Sequence, residues 1–184
     1  MTRLTAAVLA GAAFFVWIEA GFAQQPSSML RIAATTVTDL RTWDQYVTAR
    51  LRTGDLRVLR VDQDPLLASR VVERMQQFYE GVPIFGAQIV RDSDAGVAQS
   101  IFGEIPQTFS LDVRPSLDVS AAERAIMGLA GPGARLVRRM ELTILPMSDG
   151  APRLAYTAVV ATPDSVFRVF VDAQTGGELL RYSE

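Results

Sequence analysis

The chain contains no cysteine, no histidine and no lysine, and all eighteen of its basic residues are arginine. Without cysteine it can form neither disulfides nor thiolate metal sites. Without histidine it cannot assemble an H-E-x-x-H zinc site or a Ser-His-Asp or Cys-His nucleophile, since each needs an imidazole as ligand or base. Without lysine, Ser-Lys dyads and Schiff-base chemistry are excluded as well. Carboxylate-pair chemistry survives, but the twenty acidic residues are the ordinary furnishing of a solvated surface and do not by themselves mark a catalytic pair. The expectation is a protein with no enzymatic activity, no cofactor and no metal ion.

Long apolar runs are also scarce. Arg3 precedes an apolar run over residues 4–18, which is followed by the small-x-small sequence Gly21-Phe22-Ala23. This order is that of a secretory signal peptide over residues 1–23, with cleavage before Gln24. The run falls short of the roughly 20 apolar residues that span a bilayer, and no second run follows it. The expected location is secreted, periplasmic or extracellular, with no membrane contact after cleavage. The net charge is −2 and the arginines are dispersed, so nucleic acid is not an expected partner.

Residues 24–35 read as a flexible lead-in. A helix is expected from Thr38 as cap, with Asp39 in its first turn. Leu40, Trp43, Val47 and Leu51 form one stripe, and Arg50, Arg52 and Gly54 mark the end. Strands are expected over residues 56–62, 70–79, 84–91 and 97–105. Asp62-Gln63-Asp64 and Asp92-Ser93-Asp94-Ala95-Gly96 have the look of metal loops. The second lacks the further ligands and the closing Glu of a calcium loop, and it has the composition of a hairpin turn. Residues 106–118, with two prolines and weak periodicity, read as a linker. Ser120-Ala121-Ala122-Glu123 then reads as a capping box for a second helix whose apolar face holds Ala122, Ala125, Ile126 and Leu129, ended by Gly131-Pro132-Gly133. Strands follow over residues 139–144, 153–161, 167–171 and 178–182. A helix followed by an antiparallel meander occurs twice, which predicts an α+β chain of two helix-on-sheet units.

Between two of these strands lies Arg74-Met75-Gln76-Gln77-Phe78-Tyr79-Glu80-Gly81-Val82-Pro83-Ile84-Phe85-Gly86. Gly81 takes positive φ without steric cost, and Pro83 holds Val82 extended, so a turn is expected over residues 80–82. Phe85, Ala87 and Ile89 are expected to share one face of the following strand. Arg74, Gln77, Tyr79, Gly81, Val82, Pro83, Phe85 and Gly86 resemble the core motif of the fungalysin/thermolysin propeptide (FTP) domain, part of the pro-region of secreted zinc metalloproteases. That family often carries a His two residues before the Arg, where this chain has Val72. The resemblance implies a cystatin-like unit over residues 36–105, a helix packed on an antiparallel sheet.

A second motif, Val171-Asp172-Ala173-Gln174-Thr175-Gly176, follows a strand and turns into a final short one. With Val171, Asp172, Thr175 and Gly176 as its markers, it resembles the PepSY module that follows FTP in those pro-regions, which implies a second cystatin-like unit over residues 119–184. Together the resemblances imply a pro-region without its protease: a secreted propeptide-like protein that binds a thermolysin-family zinc metalloprotease in trans, as folding aid, inhibitor, or both. Leu179, Leu180 and Glu184 would then be the residues approaching the protease cleft. The alternatives are a periplasmic PepSY-type protein-binding module, or the remnant of a metalloprotease precursor with no independent role.

Overall fold

The structure, a computed structural model, describes residues 29–184. The expected signal peptide and its cleavage point lie outside the described residues. Strand β1 (Met29–Ala34) precedes helix α1 (Val37–Thr53), which is followed by β2 (Leu56–Gln63), β3 (Arg70–Tyr79), β4 (Val82–Asp94) and β5 (Val97–Pro106). Helix α2 (Val119–Ala130) leads into β6 (Arg135–Leu136), β7 (Glu141–Leu145), β8 (Arg153–Ala161), β9 (Val166–Asp172) and β10 (Glu178–Ser183). The fold is α+β, two helices on a large and mostly antiparallel sheet.

The first half orders its strands β2-β3-β4-β5-β1 and the second β7-β8-β9-β10, with β6 paired to the far end of β8. One strand carries both halves. The body of β4 pairs with β3 and β5, while near its start Ile84 pairs in parallel with Ile144 of β7. A single sheet therefore runs through both units.

Each helix covers one core. Trp43, Leu40, Tyr46 and Leu51 of α1 surround its buried Val47 and pack with Ile32, Leu56, Met75, Ile89 and Ile101. Ala122 and Ile126 of α2 pack with Ile144, Tyr156, Val160, Phe167 and Val171. The first helix is capped two residues before the expected position: Thr36 takes the cap position, accepts from the Asp39 amide at 3.2 Å and donates to the Asp39 carboxylate at 2.6 Å. That reciprocal pair satisfies an amide that Thr38 cannot reach from inside the helix. The second start moves in the same direction, with Asp118 capping the Ala121 amide at 2.7 Å in place of Ser120.

Part of the expected lead-in is strand. β1 pairs with β5 along its whole length and buries Ile32 and Ala34. A six-residue edge strand with alternate apolar residues is short enough to be lost in a polar reading. Residues 107–118 form no helix or strand, yet Phe109, Leu111, Val113 and Leu117 pack on the second core. Gly103 of β5 shows how closely these strands approach: a Cβ there would lie 2.2 Å from the Gln88 carbonyl oxygen, so a side chain would force backbone apart.

Candidate functional site

The joint between the two units is built by the Arg74–Gly86 stretch. Its turn is tighter than the sequence suggests. Glu80 and Gly81 alone form it, both at positive φ (47° and 82°), and Tyr79 already pairs with Val82 and Phe78 with Pro83. Two left-handed residues match the twist of a two-residue hairpin, and the non-glycine Glu80 bears the steric cost.

Four residues later the strand is interrupted. Gly86 stands at φ 79°, and the β3–β4 register shifts between Gln76 and Phe78. This bulge breaks the expected alternation: Ile84 and Ala87 line the second core, Ile89 the first, and Phe85 points elsewhere. β4 holds three residues more than β3 across this shift, and an odd number of extra residues reverses the phase of a period-two pattern, which is why Phe85 does not share a face with Ala87 and Ile89. Phe85 instead meets Phe170 edge-on at 4.7 Å in a small third cluster with Leu145 and Ala155.

The register shift frees backbone carbonyls, and Gln76 collects them. Its side-chain amide donates to the carbonyls of Gln77 (3.0 Å), Ile84 (2.6 Å) and Ala87 (3.1 Å) while the residue is 9% exposed. Gln88 donates to the Gln76 side-chain oxygen at 3.3 Å, and Arg74 donates to Gln88 at 3.3 Å. Thr143 of β7 donates to the Pro83 carbonyl at 2.9 Å and so fastens the second unit to the first. Of the pair Gln76-Gln77, only Gln77 belongs to the sequence motif. Two adjacent glutamines are indistinguishable until the bulge decides which one faces the carbonyls.

Gln77 has a different role. It is buried, its side-chain nitrogen has no hydrogen-bond partner among the described residues, and it lines a cleft of about 190 Å³ with Tyr46, Arg50, Asp55 and Phe109. Tyr79 and Val82 pack on the second core, Tyr79 with its ring 4.7 Å from that of Phe109. Arg50 pairs with Asp55 at 3.0 Å, and hydrogen bonds from Thr53 and then Arg50 hold the Asp55 carboxyl below its ordinary range.

The second motif forms a closed turn. The Asp172 carboxylate accepts from the amides of Gln174 (2.8 Å) and Thr175 (2.9 Å), the Gly176 amide donates to the Asp172 carbonyl at 2.8 Å, and Thr175 accepts from Gly177 at 3.3 Å. Val171 is fully buried beside it. The turn also grips residues 114–117: Ser116 and Leu117 donate to the Ala173 carbonyl, and Gln174 donates to the Arg114 carbonyl at 2.9 Å. Gln174 and Ser116 also share a short side-chain hydrogen bond. Leu179 packs into the third cluster, Leu180 is exposed, and Glu184 accepts from Arg168 at 2.7 Å. The three residues lie on or beside one edge strand but face different surroundings.

Of the aspartates in the two loops with a metal-like look, Asp62, Asp64 and Asp92 are engaged elsewhere, while one carboxylate oxygen of Asp94 is buried without a hydrogen-bond partner among the described residues. Asp64 caps the amides of Leu66 (2.8 Å) and Leu67 (3.1 Å), and Asp92 pairs with Arg70 at 2.5 Å. Among the described residues no three acidic side chains gather where they could hold a metal ion, and no helix is long and apolar enough to cross a membrane.

Residues 54–105, from the glycine that ends α1 through nearly all of β5, match the family described as Fungalysin/Thermolysin Propeptide Motif. The matched span contains the whole Arg74–Gly86 joint. Among solved structures the chain is similar to the C-terminal domain of Bacillus megaterium YpeB, with a TM-score of 0.43 and 14% identity, covering 82% of this chain and 66% of that one. No curated protein matches the chain.

Proposed function

We propose that this protein is a secreted, non-enzymatic propeptide-type binder of a thermolysin-like zinc metalloprotease, acting on it in trans as folding aid, inhibitor, or both. The carrying observation is that the propeptide match over residues 54–105 falls on the strands that build the joint between the units. In this reading residues 36–105 form the FTP-like unit, residues 119–184 a PepSY-like unit, and residues 106–118 join them after export removes residues 1–23. A chain of this size offers sheet faces and edges ample for its share of a standard interface of about 1,200 to 2,000 Å².

The site residues divide by their surroundings. Arg74, Gln77, Tyr79, Gly81, Val82, Pro83, Phe85, Gly86, Val171, Asp172, Thr175 and Gly176 shape the scaffold, and Leu180 and Glu184 are the residues offered to the protease cleft. Leu179, which packs under the strand, supports them from below. Acting in trans, the chain binds by the affinity of these surfaces alone.

The test is to titrate the purified chain at micromolar concentration against a co-encoded thermolysin-like protease, following both peptidase activity and the yield of active enzyme on refolding. Dose-dependent inhibition or improved recovery is expected, and Leu180→Ala should weaken it without lowering the melting temperature. Failure of both effects with intact, folded chain sinks the protease reading.

A further inference from the structure

On the face of the β7-β8-β9-β10 half of the sheet turned away from α2, a small cavity of about 70 Å³ is lined by Arg138, Arg139, Arg168, Glu141 and Thr157. It shares Glu141, Thr157 and Arg168 with a groove of about 350 Å³ that continues past Thr143 to Phe85, Gln88 and Gln76 at the joint. Arg138 and Arg139 are exposed and have no hydrogen-bond or ion-pair partner among the described residues. Thr157 is only 5% exposed, and its hydroxyl also has no partner. A buried hydroxyl without a partner is costly, and one on a residue that lines a cavity beside three guanidinium groups points to a ligand that accepts hydrogen bonds.

We propose that this cavity binds the carboxylate of an extended peptide from a protein partner, with the adjoining groove receiving the residues that flank it. Guanidinium groups match a carboxylate with two parallel donors, and the threonine hydroxyl supplies a further one. Charge balance selects a monoanion: Glu141 lines the cavity and Glu184 already occupies one side of Arg168 at 2.7 Å, so three positive charges face two negative ones before any ligand arrives. A phosphate dianion would leave an excess of negative charge. A carboxylate leaves none. The Arg168–Glu184 pair also shows carboxylate held by one of these arginines within the chain itself.

The inference stands apart from the protease reading, since a peptide can bind here whether or not any protease responds to the chain. The test uses the full chain and four probes, followed by NMR: a capped alanine heptapeptide with a central aspartate, the same peptide with asparagine, acetate, and inorganic phosphate. The aspartate peptide is expected to shift the Thr157 amide and the Arg168 side-chain N–H. Arg138→Gln with Arg139→Gln should weaken it by about tenfold or more. Thr157→Val should weaken it several-fold while leaving the melting temperature unchanged or higher, an outcome a merely structural hydroxyl does not give. Glu184→Gln should tighten it by releasing Arg168, whereas the protease reading expects the same variant to lose inhibition. Acetate competing at the same residues, more weakly than the peptide, supports the proposal. It is overturned if the asparagine peptide binds equally well, if phosphate binds more tightly than the aspartate peptide, if acetate binds as tightly as the peptide, or if no probe moves Thr157.

Discussion

Strands β2 and β8 are both rich in strand-forming residues, and they end in opposite surroundings. From Arg57 onward every residue of β2 is exposed, including Val58, Leu59 and Val61, whereas β8 is buried from Leu154 to Ala161. The difference lies in their neighbours. β8 pairs on both sides, with α2 over one face and Phe85, Leu179 and Met147 against the cluster on the other. β2 pairs only with β3, and the core under α1 reaches only its first residue, Leu56. Its edge is interrupted by a register shift between Val58 and Arg60, and it carries Arg57, Arg60 and Asp62, features that discourage edge-to-edge pairing. Apolar content alone thus predicts that a strand forms, while its burial follows from what is placed beside it.

This contrast can be tested, beginning where the loss should be greatest. Phe170, fully buried with Leu145 and Ala155 and in ring contact with Phe85 and Tyr182, should cost about 3–5 kcal/mol when replaced by alanine. Urea unfolding of Phe170→Ala measures it; a loss under about 1 kcal/mol would show that the face of β8 and β9 turned away from α2 is not truly packed.

Next come the two glutamines at the joint. Gln76→Leu strips three carbonyls of their donor and should cost roughly 1–3 kcal/mol, while Gln77→Leu removes an unpartnered buried nitrogen and should be neutral or stabilising. The same denaturant series compares them directly. Equal effects would mean that the bulge does not depend on Gln76.

A smaller effect is expected from acid. Hydrogen bonding to Arg70 lowers the Asp92 carboxyl and hydrogen bonding to Thr53 and Arg50 lowers that of Asp55, each from an ordinary value of 3.8. A folded value below the unfolded one gives stability that is fully present above the unfolded value and lost as pH falls through the folded one. Both groups lie in the first half. On acidification below about 3.8, amide protection in β3 and β4 should therefore decline before that in β8 and β9. The chain has no histidine, so little change is expected between about pH 5.5 and 8. Simultaneous loss in both halves would show that they unfold as one unit.

The smallest effect belongs to β2 itself. Leu59→Thr, at a residue 54% exposed beside a register shift, should change stability by no more than about 0.5 kcal/mol. Thermal melting decides it, and a larger loss would mean that the edge is covered in solution, by a second copy or another chain.

Several features were legible in the sequence because they rest on local physics. The excluded chemistries follow from missing residue types. The stripe from Leu40 to Leu51 places α1 on its sheet, Gly54 ends it, and the alternation of the Leu142–Ile144 segment gives that strand its faces. The α+β class follows from these. Other features depended on contacts between residues far apart in the chain. Phe85 left the face of Ala87 and Ile89 because a bulge at Gly86 reversed the alternation, and Gln76 rather than Gln77 became the hydrogen-bonding residue for the same reason. Ile84 joined the two halves only because β7, sixty residues later, came to lie beside it. Arg138, Arg139, Thr157 and Arg168, unremarkable and dispersed in the sequence, line one cavity because pairing of β8 with its neighbours gathers them. Local spacing determines the elements, since helix and strand periods act over a few residues. Register, bulges and long-range pairing decide which side chains meet, and one sequence carries no local signal for those.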